Sequence, residues 1–169
     1  ALKDLRSILS DLSASASDLD EGLANLRQET AERITDAGLT LDWPPIEEGP
    51  ARRTIDPRRM KALVSSLREA VTNVIRHSRG LRLMVRITTD EGRLRVTLRD
   101  DGRGLPAEAD EGPGEGQGLG NIRARMRAAD GEVHFISNDD GVTVTFDLPL
   151  STAPTDMTPT RVAAAGPAS

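Results

Sequence analysis

The spacing of apolar and polar positions divides the chain into helical and extended stretches. Leu2, Leu5, Leu9 and Leu12 recur at helical spacing, and alternating serine and alanine over 13–17 interrupt them. Asp18, followed three residues later by Glu21, has the form of a capping box. It opens a second helix that runs to about Ala37, with Leu19, Leu23, Leu26 and Ile34 on one stripe and Gly38 as its stop. Leu39, Leu41 and Trp43 alternate as a short strand, ended by Pro44 and Pro45. Asp56 and Pro57 then read as N-cap and first turn of a third helix. Its Met60, Leu63, Val64, Leu67, Ala70, Val71, Val74 and Ile75 fill one arc at about 100° per residue.

From Gly80 the period changes to two. Leu81, Leu83, Val85 and Ile87 face one way, while Arg82, Arg86 and Thr88 face the other. Asp90, Glu91 and Gly92 turn the chain into a returning strand carrying Leu94, Val96 and Leu98. A glycine-rich acidic loop over 102–118 leads into a helix with Leu119, Ile122, Met126 and Ala129 inward, which stops near Gly131. A second hairpin follows: Val133 and Phe135, a turn at Asn138, Asp139, Asp140 and Gly141, then Val142, Val144, Phe146 and Leu148. This order predicts an α+β two-layer sandwich, a mainly antiparallel sheet of about five strands covered on one face by about three helices. Beyond Leu150 the chain is Thr, Pro, Ala and Ser with hardly an apolar anchor, so 151–169 reads as a disordered tail.

Composition narrows the function. With 22 basic against 27 acidic residues the net charge is −5, which argues against nucleic acid or an anionic membrane as partner. The chain has no cysteine, hence no disulfide and no thiolate metal site, and its two histidines lie far apart, which disfavours an all-protein zinc site. No apolar run of membrane-spanning length or signal pattern occurs, so the piece reads as cytoplasmic. A start at Ala1, already within a helical pattern, suggests a fragment of something longer.

Three groups of residues could carry chemistry. On the third helix Glu69, Asn73 and Arg76 fall within roughly 60° of one another, opposite the apolar arc. A carboxylate there could deprotonate a nucleophile, an amide oxygen suits Mg²⁺, and a guanidinium can neutralise phosphate oxygens. A solvated helix face has the same pattern. The second group, Asp100, Asp101, Gly102, Arg103 and Gly104, ends a strand; an ordinary Asp-Gly turn would be followed at once by another strand, and here it is not. The third, Gly116, Gln117, Gly118, Leu119 and Gly120, opens a helix, where backbone N–H groups and the helix dipole can hold a phosphate.

An amphipathic helix with E-x-x-x-N, a strand ending in D-x-G-x-G and a loop into G-x-G-L-G, in that order, resembles the GHKL (Bergerat) ATP-binding fold of histidine kinases, gyrase, a heat-shock chaperone and a mismatch-repair ATPase. REAVTNVIRHS at 68–78 and GLGNIRARM at 118–126 look like the NarL/DesK-like branch of two-component sensor histidine kinases, and ALKDLRSIL at the start is similar to the end of that branch's dimerisation helix. The resemblance implies ATP and Mg²⁺ as cofactors, with Asn73 as metal ligand and Glu69 as catalytic carboxylate. It places Arg76 and His77 near the phosphates and Asp100 on the adenine amino group. Gly102 and Gly104 would pass close to the base, and Gly116, Gly118, Leu119 and Gly120 would line the phosphates beside a lid over about 105–117. Residues 1–17 would be a remnant of the dimerisation helix and 18–150 the catalytic domain. The implied partners are the histidine-bearing domain of the same protein, a homodimer when complete whose parent chain can carry a membrane anchor, and a response regulator.

The sequence departs from the family pattern at three points. Asp101 stands where many relatives have Asn, adding charge near the base. Val142 stands where the family often has Thr, so its polar contact would be missing or fall to Thr143 or Thr145. Neither His77 nor His134 lies in a phospho-acceptor pattern, and His134 reads as a surface residue, so the substrate histidine belongs elsewhere. Two other readings stay open: a serine-phosphorylating kinase of the anti-sigma-factor type, and a docking module whose nucleotide site is silent.

Overall fold

The computed structural model describes residues 17–45, 53–104 and 117–151. The helix expected over 2–12, most of the lid and the tail from 152 onward lie outside the described residues.

Helix α1 (Leu19–Asp36) is capped as expected, with Asp18 Oδ1 accepting from the N–H groups of Asp20 and Glu21 at 3.0 and 3.2 Å. Helix α2 (Pro57–Asn73) starts in the same way, its Asp56 Oδ1 accepting from Arg58 and Arg59. Helix α3 spans Gln117–Ala128. Two short strands, β1 (Ser17–Asp18) and β3 (Thr54–Ile55), pair with each other ahead of α1 and α2. Ser151 donates its N–H to Thr54 at 3.0 Å, so the folded unit extends one residue into the expected tail.

The main sheet contains β2 (Thr40–Asp42), β4 (Arg82–Asp90), β5 (Arg93–Asp100), β6 (Glu132–Asn138) and β7 (Gly141–Pro149), in the order β2-β4-β5-β7-β6. Only β2 and β4 run parallel. All three helices pack on one face. Leu83, Val85, Leu94, Val96, Leu98, Val144, Phe146 and Leu148 are buried there, in one cluster with Leu63, Leu67 and Val71 of α2 and Ile122 and Met126 of α3. Burying each large side chain stabilises by about 1.5–3 kcal/mol. A one-residue slip of any strand would turn its whole row to solvent, so this burial also fixes the register.

The opposite face is polar. Arg86 pairs with Asp42, Arg93 and Arg95 with Asp147, and Thr97 meets Thr145. The β4–β5 connection is a two-residue turn, with Glu91 and Gly92 both at positive φ.

Two features depart from the expected pattern. After Asn73 the helix widens into a π turn over Val74–Ser78 and ends with Arg79 at φ 54°. Leu81, expected in the inward row, is 74% exposed: β4 begins only at Arg82, and the Leu81 N–H is held by the Asp101 carboxylate at 2.8 Å. No helix among the described residues is long and apolar enough to cross a membrane.

Candidate functional site

Between α2, α3 and the ends of β5, β6 and β7 lies a slot walled by Ala70, Val74, Leu98, Leu119, Ile122, Phe135, Val142 and Val144. Its polar members are Asn73, His77, Ser78 and Asp100. Alternation along the strands supplies the apolar wall, since Leu98, Val142, Val144 and Phe135 all point to the helix side. Arg123 lies over the Phe135 ring, 5.0 Å from its centre.

Asp100, the last residue of β5, is 2% exposed. A carboxylate buried this deeply needs donors, and three are supplied. The Ser78 hydroxyl and the Gly102 N–H both donate to Oδ1 at 2.8 Å, and the Val142 N–H donates to Oδ2 at 3.3 Å. Gly102 is required by closeness, because a side-chain carbon there would run into the Ser78 carbonyl and hydroxyl. A carboxylate has about four lone-pair sites, so three donors leave one on Oδ2 for a further hydrogen-bond donor.

The slot opens at Asn73 and His77 into a polar groove shared with Arg33, Glu69, Thr72, Arg76 and Gly118. The three residues expected to share a patch on α2, Glu69, Asn73 and Arg76, are thus brought together. Arg33 donates to Thr72 Oγ1 at 2.7 Å and to the Arg68 carbonyl at 3.3 Å. Arg68 grips both oxygens of Glu29; this hydrogen bonding holds the Glu29 carboxyl below its ordinary range and raises Arg68. Glu69 pairs with Arg125 of α3 at 3.1 Å, and the same guanidinium nitrogen lies 3.5 Å from Ser66 Oγ. Gly118, in the first turn of α3, sits against this pair: a β-carbon there would lie 3.2 Å from Glu69 Oε1 and 3.7 Å from Asn73 Nδ2. A helix N-terminus, three arginines, His77 and the Asn73 amide thus border one groove, with Glu29 and Glu69 each paired to an arginine, a setting suited to an anionic chain.

Gly104 and Leu119 line the slot, and exposed His77 borders slot and groove. Gly116 lies outside the described residues. Two expectations are corrected, and the Asp101 charge is placed. Thr143 is not in the slot: Val142 and Val144 face it, so the intervening Thr143 points to the opposite sheet face, with Thr145 beside Thr97. Gly120 borders neither slot nor groove and has open space where a β-carbon would stand, because its position on α3 turns it outward. Asp101 does not line the slot, and Oδ1 accepts from the N–H groups of Leu81 and Arg82 at 2.8 and 2.9 Å. Those bonds, Arg82's foremost, hold its carboxyl below the usual range. His134 is exposed, 3.5 Å from Glu132, as expected.

The sequence reading missed Ser78 and Arg125. Both signals are faint. Ser78 closes the 68–78 motif at the C-terminal end of α2 as a small polar residue in line with the apolar arc, and Arg125 lies seven residues after Gly118, which two helical turns bring to the same side of α3.

Among the described residues no group of three or more His, Cys, Asp or Glu could hold a metal. Asn73 at the junction is a neutral oxygen donor, of a kind that serves Mg²⁺ when phosphate oxygens and water complete the shell. The slot fits a flat ring bearing one N–H donor: its walls are apolar and its buried carboxylate has one acceptor site to spare.

Residues 59–152 match the family model described as "Histidine kinase-, DNA gyrase B-, and HSP90-like ATPase". Sensor histidine kinase YvfT of Bacillus subtilis is 29% identical over 151 residues, covering 89% of this chain and 37% of that protein. Sensor histidine kinase MctS of Rhizobium johnstonii is 36% identical over 91 residues, 53% of this chain and 20% of that protein. The chain therefore spans well under half the length of these relatives. Among solved structures, the histidine kinase domain of the Erythrobacter litoralis EL346 blue-light activated histidine kinase superposes with a TM-score of 0.60 at 21% identity, over 75% of this chain and 60% of that one. Acinetobacter baumannii histidine kinase AdeS gives 0.62 at 18%, over 89% and 77%. At these identities the two structures speak to the fold alone.

Proposed function

Because the chain belongs to the histidine kinase-, DNA gyrase B- and HSP90-like ATPase family, we propose that it binds Mg-ATP and transfers the γ-phosphoryl group to a histidine on a dimerisation helix outside the domain, for relay to a response regulator. The observation that carries this reading is the buried Asp100, with one free acceptor site, in an apolar slot that opens at Asn73 into the groove holding Glu69. The names of the relatives support the kinase role.

In this reading Asp100 accepts a hydrogen from the adenine 6-amino group through Oδ2, and Leu98, Ile122, Phe135 and Val142 cover the ring. Asn73 would hold Mg²⁺ through its amide oxygen. The metal supplies charge neutralisation on the transferring group. Arg76, His77 and the first N–H groups of α3 offset phosphate charge, and Gly118 keeps that helix end close enough to do so. Glu69 orients the attacking imidazole and takes its proton as the new P–N bond forms and the bond to the leaving ADP oxygen breaks. Arg125 holds Glu69 from behind.

The catalytic domain expected over 18–150 also takes in Ser17 and Ser151, paired with Ile55 and Thr54, and the sequence before it belongs to the dimerisation domain, the complete kinase being a homodimer of the NarL/DesK-like branch that works where cytoplasmic ATP is available. Calorimetric titration with a non-hydrolysable ATP analogue, with and without Mg²⁺, tests the reading. Micromolar to sub-millimolar binding that strengthens with Mg²⁺ is expected; no binding would leave a silent docking module. Transfer of labelled phosphate to a histidine, acid-labile and lost in Glu69→Gln, tests the chemistry.

A further inference from the structure

Ser78 lies at the end of the π turn, is buried, and lines the slot. Its backbone carbonyl accepts from the Arg103 N–H at 3.0 Å, which ties the turn to the strand end that carries Asp100. Its hydroxyl oxygen accepts from the Gly80 N–H at 3.0 Å and donates to Asp100 Oδ1 at 2.8 Å. The hydroxyl has a single proton, and the Gly80 contact already occupies an acceptor position, so that proton is directed at the carboxylate. Oδ1 also takes the Gly102 N–H and is then saturated. Only Oδ2, which carries the Val142 N–H, has a lone pair left.

From this we infer that Ser78 is a positioning residue that fixes which oxygen of Asp100 faces the ligand, and thereby sets a preference for 6-amino over 6-oxo purine nucleotides. The inference rests on the nucleotide reading of the slot and deepens it. An ionised carboxylate can only accept, so a 6-amino group finds a partner on Oδ2, whereas a 6-oxo group would set acceptor against acceptor in a buried site. Discrimination of this kind is strong only while the site's polar groups are held in one arrangement. Without the Ser78 hydroxyl, Oδ1 loses a donor, the carboxylate is free to turn, and space for a water opens where the hydroxyl stood. Such a water can donate to a 6-oxo group as readily as it accepts from a 6-amino group.

The test is calorimetry of the chain with ADP and with inosine diphosphate, both with Mg²⁺, for wild type, Ser78→Ala and Ser78→Cys. Wild type should favour ADP by about a hundredfold or more. Ser78→Ala should weaken ADP by about tenfold while leaving inosine diphosphate within about twofold, so that the ratio of affinities narrows by about tenfold. Ser78→Cys, which keeps most of the volume and a weak donor, should lie between. If Ser78→Ala loses its melting transition, Ser78→Cys alone decides the matter by the same ratio.

A purely structural role would lower both affinities together and leave the ratio unchanged, and that outcome overturns the inference; so does a variant indistinguishable from wild type. Failure of the underlying reading looks different, because wild type itself would then bind neither nucleotide, or both equally.

Discussion

Replacing Asp100 by Asn keeps the shape of the side chain and changes only its hydrogen-bonding character, which makes Asp100→Asn the sharpest probe of the slot. The amide has one acceptor oxygen and one donor nitrogen. With the oxygen at Oδ1 it keeps the bonds from Ser78 and Gly102 and points its NH₂ at the Val142 N–H; the reverse orientation loses two bonds instead of one. The first arrangement is therefore the one adopted. A buried N–H left without a partner costs about 1–3 kcal/mol. The two surviving bonds lose the strengthening that an ionised acceptor confers, while relief from burying a charge offsets part of the loss. The net destabilisation is about 2 kcal/mol, which for a chain of this length lowers the melting midpoint by about 4–8 °C.

The effect on binding is larger and has a sign. The NH₂ now faces the pocket as a donor, so ADP meets donor with donor, and inosine diphosphate meets donor with acceptor. Affinity for ADP should fall by more than about a hundredfold and the order of preference should reverse. Circular dichroism melting and calorimetry on the same preparation read both effects. A folded variant that binds ADP within about threefold of wild type refutes the assignment of Asp100 to the base. Asp100→Ala is the poorer probe. It strands all three buried donors at a cost of about 3–5 kcal/mol, so lost binding could not be separated from lost structure.

Asn73→Ala should weaken Mg-ADP by about tenfold or more while changing metal-free ADP by less than about threefold in calorimetry; an equal fall in both means that Asn73 is not the ligand. Arg125→Ala removes a partly exposed ion pair worth up to about 1 kcal/mol, so melting should drop by only about 2–4 °C. Histidine phosphorylation by the complete kinase should nevertheless fall by about tenfold at unchanged nucleotide affinity, and an unchanged rate would show that Glu69 is oriented without it. Asp101 has its folded-state pKa below the unfolded value, so its stabilisation is present above about pH 3.9 and is lost as pH falls through the lower folded value. The stability gap between wild type and Asp101→Ala in urea titrations, about 0.5–1 kcal/mol at pH 7 after allowance for solvent screening, should narrow as the pH falls below the ordinary carboxylate range, whereas a gap independent of pH would assign it to packing. Thr143→Ala should leave nucleotide affinity within about twofold, since the side chain stands on the far face of the sheet; a larger loss would place it in the site after all.

What could be read from the sequence was local. The caps at Asp18 and Asp56, the turn at Glu91 and Gly92, and the inward rows of both hairpins, Leu81 excepted, depend on residues within a few positions of one another, and the fold has them where the pattern puts them. The outward position of Thr143 followed from the same alternation that placed Val142 and Val144 inward, but the family pattern drew attention to its hydroxyl instead. Other features depend on distant segments. Nothing near 40–42 says that β2 will pair in parallel with β4. Nothing in the spacing of α2 foretells that Glu69 will meet Arg125, 56 positions away. The π turn is of this kind too: nothing in the helical pattern announces that the helix widens after Asn73.

The turn matters because it helps make the site. Ser78 is tied to Gly102 and Arg103 by close backbone contacts, so its position is set by the sheet as much as by the helix that carries it. Asp100 is fixed by β5, Val142 by β7 and Asn73 by α2 before the π turn begins. The base end of the slot is thus built where three elements terminate, each held by its own buried row, whereas the phosphate end depends on α3 approaching through Gly118. Substitutions at Ser78 or Asp100 should therefore change which base is accepted, and substitutions at Gly118 or Arg125 should change what happens at the phosphates. The two classes should combine additively, since they act through different elements.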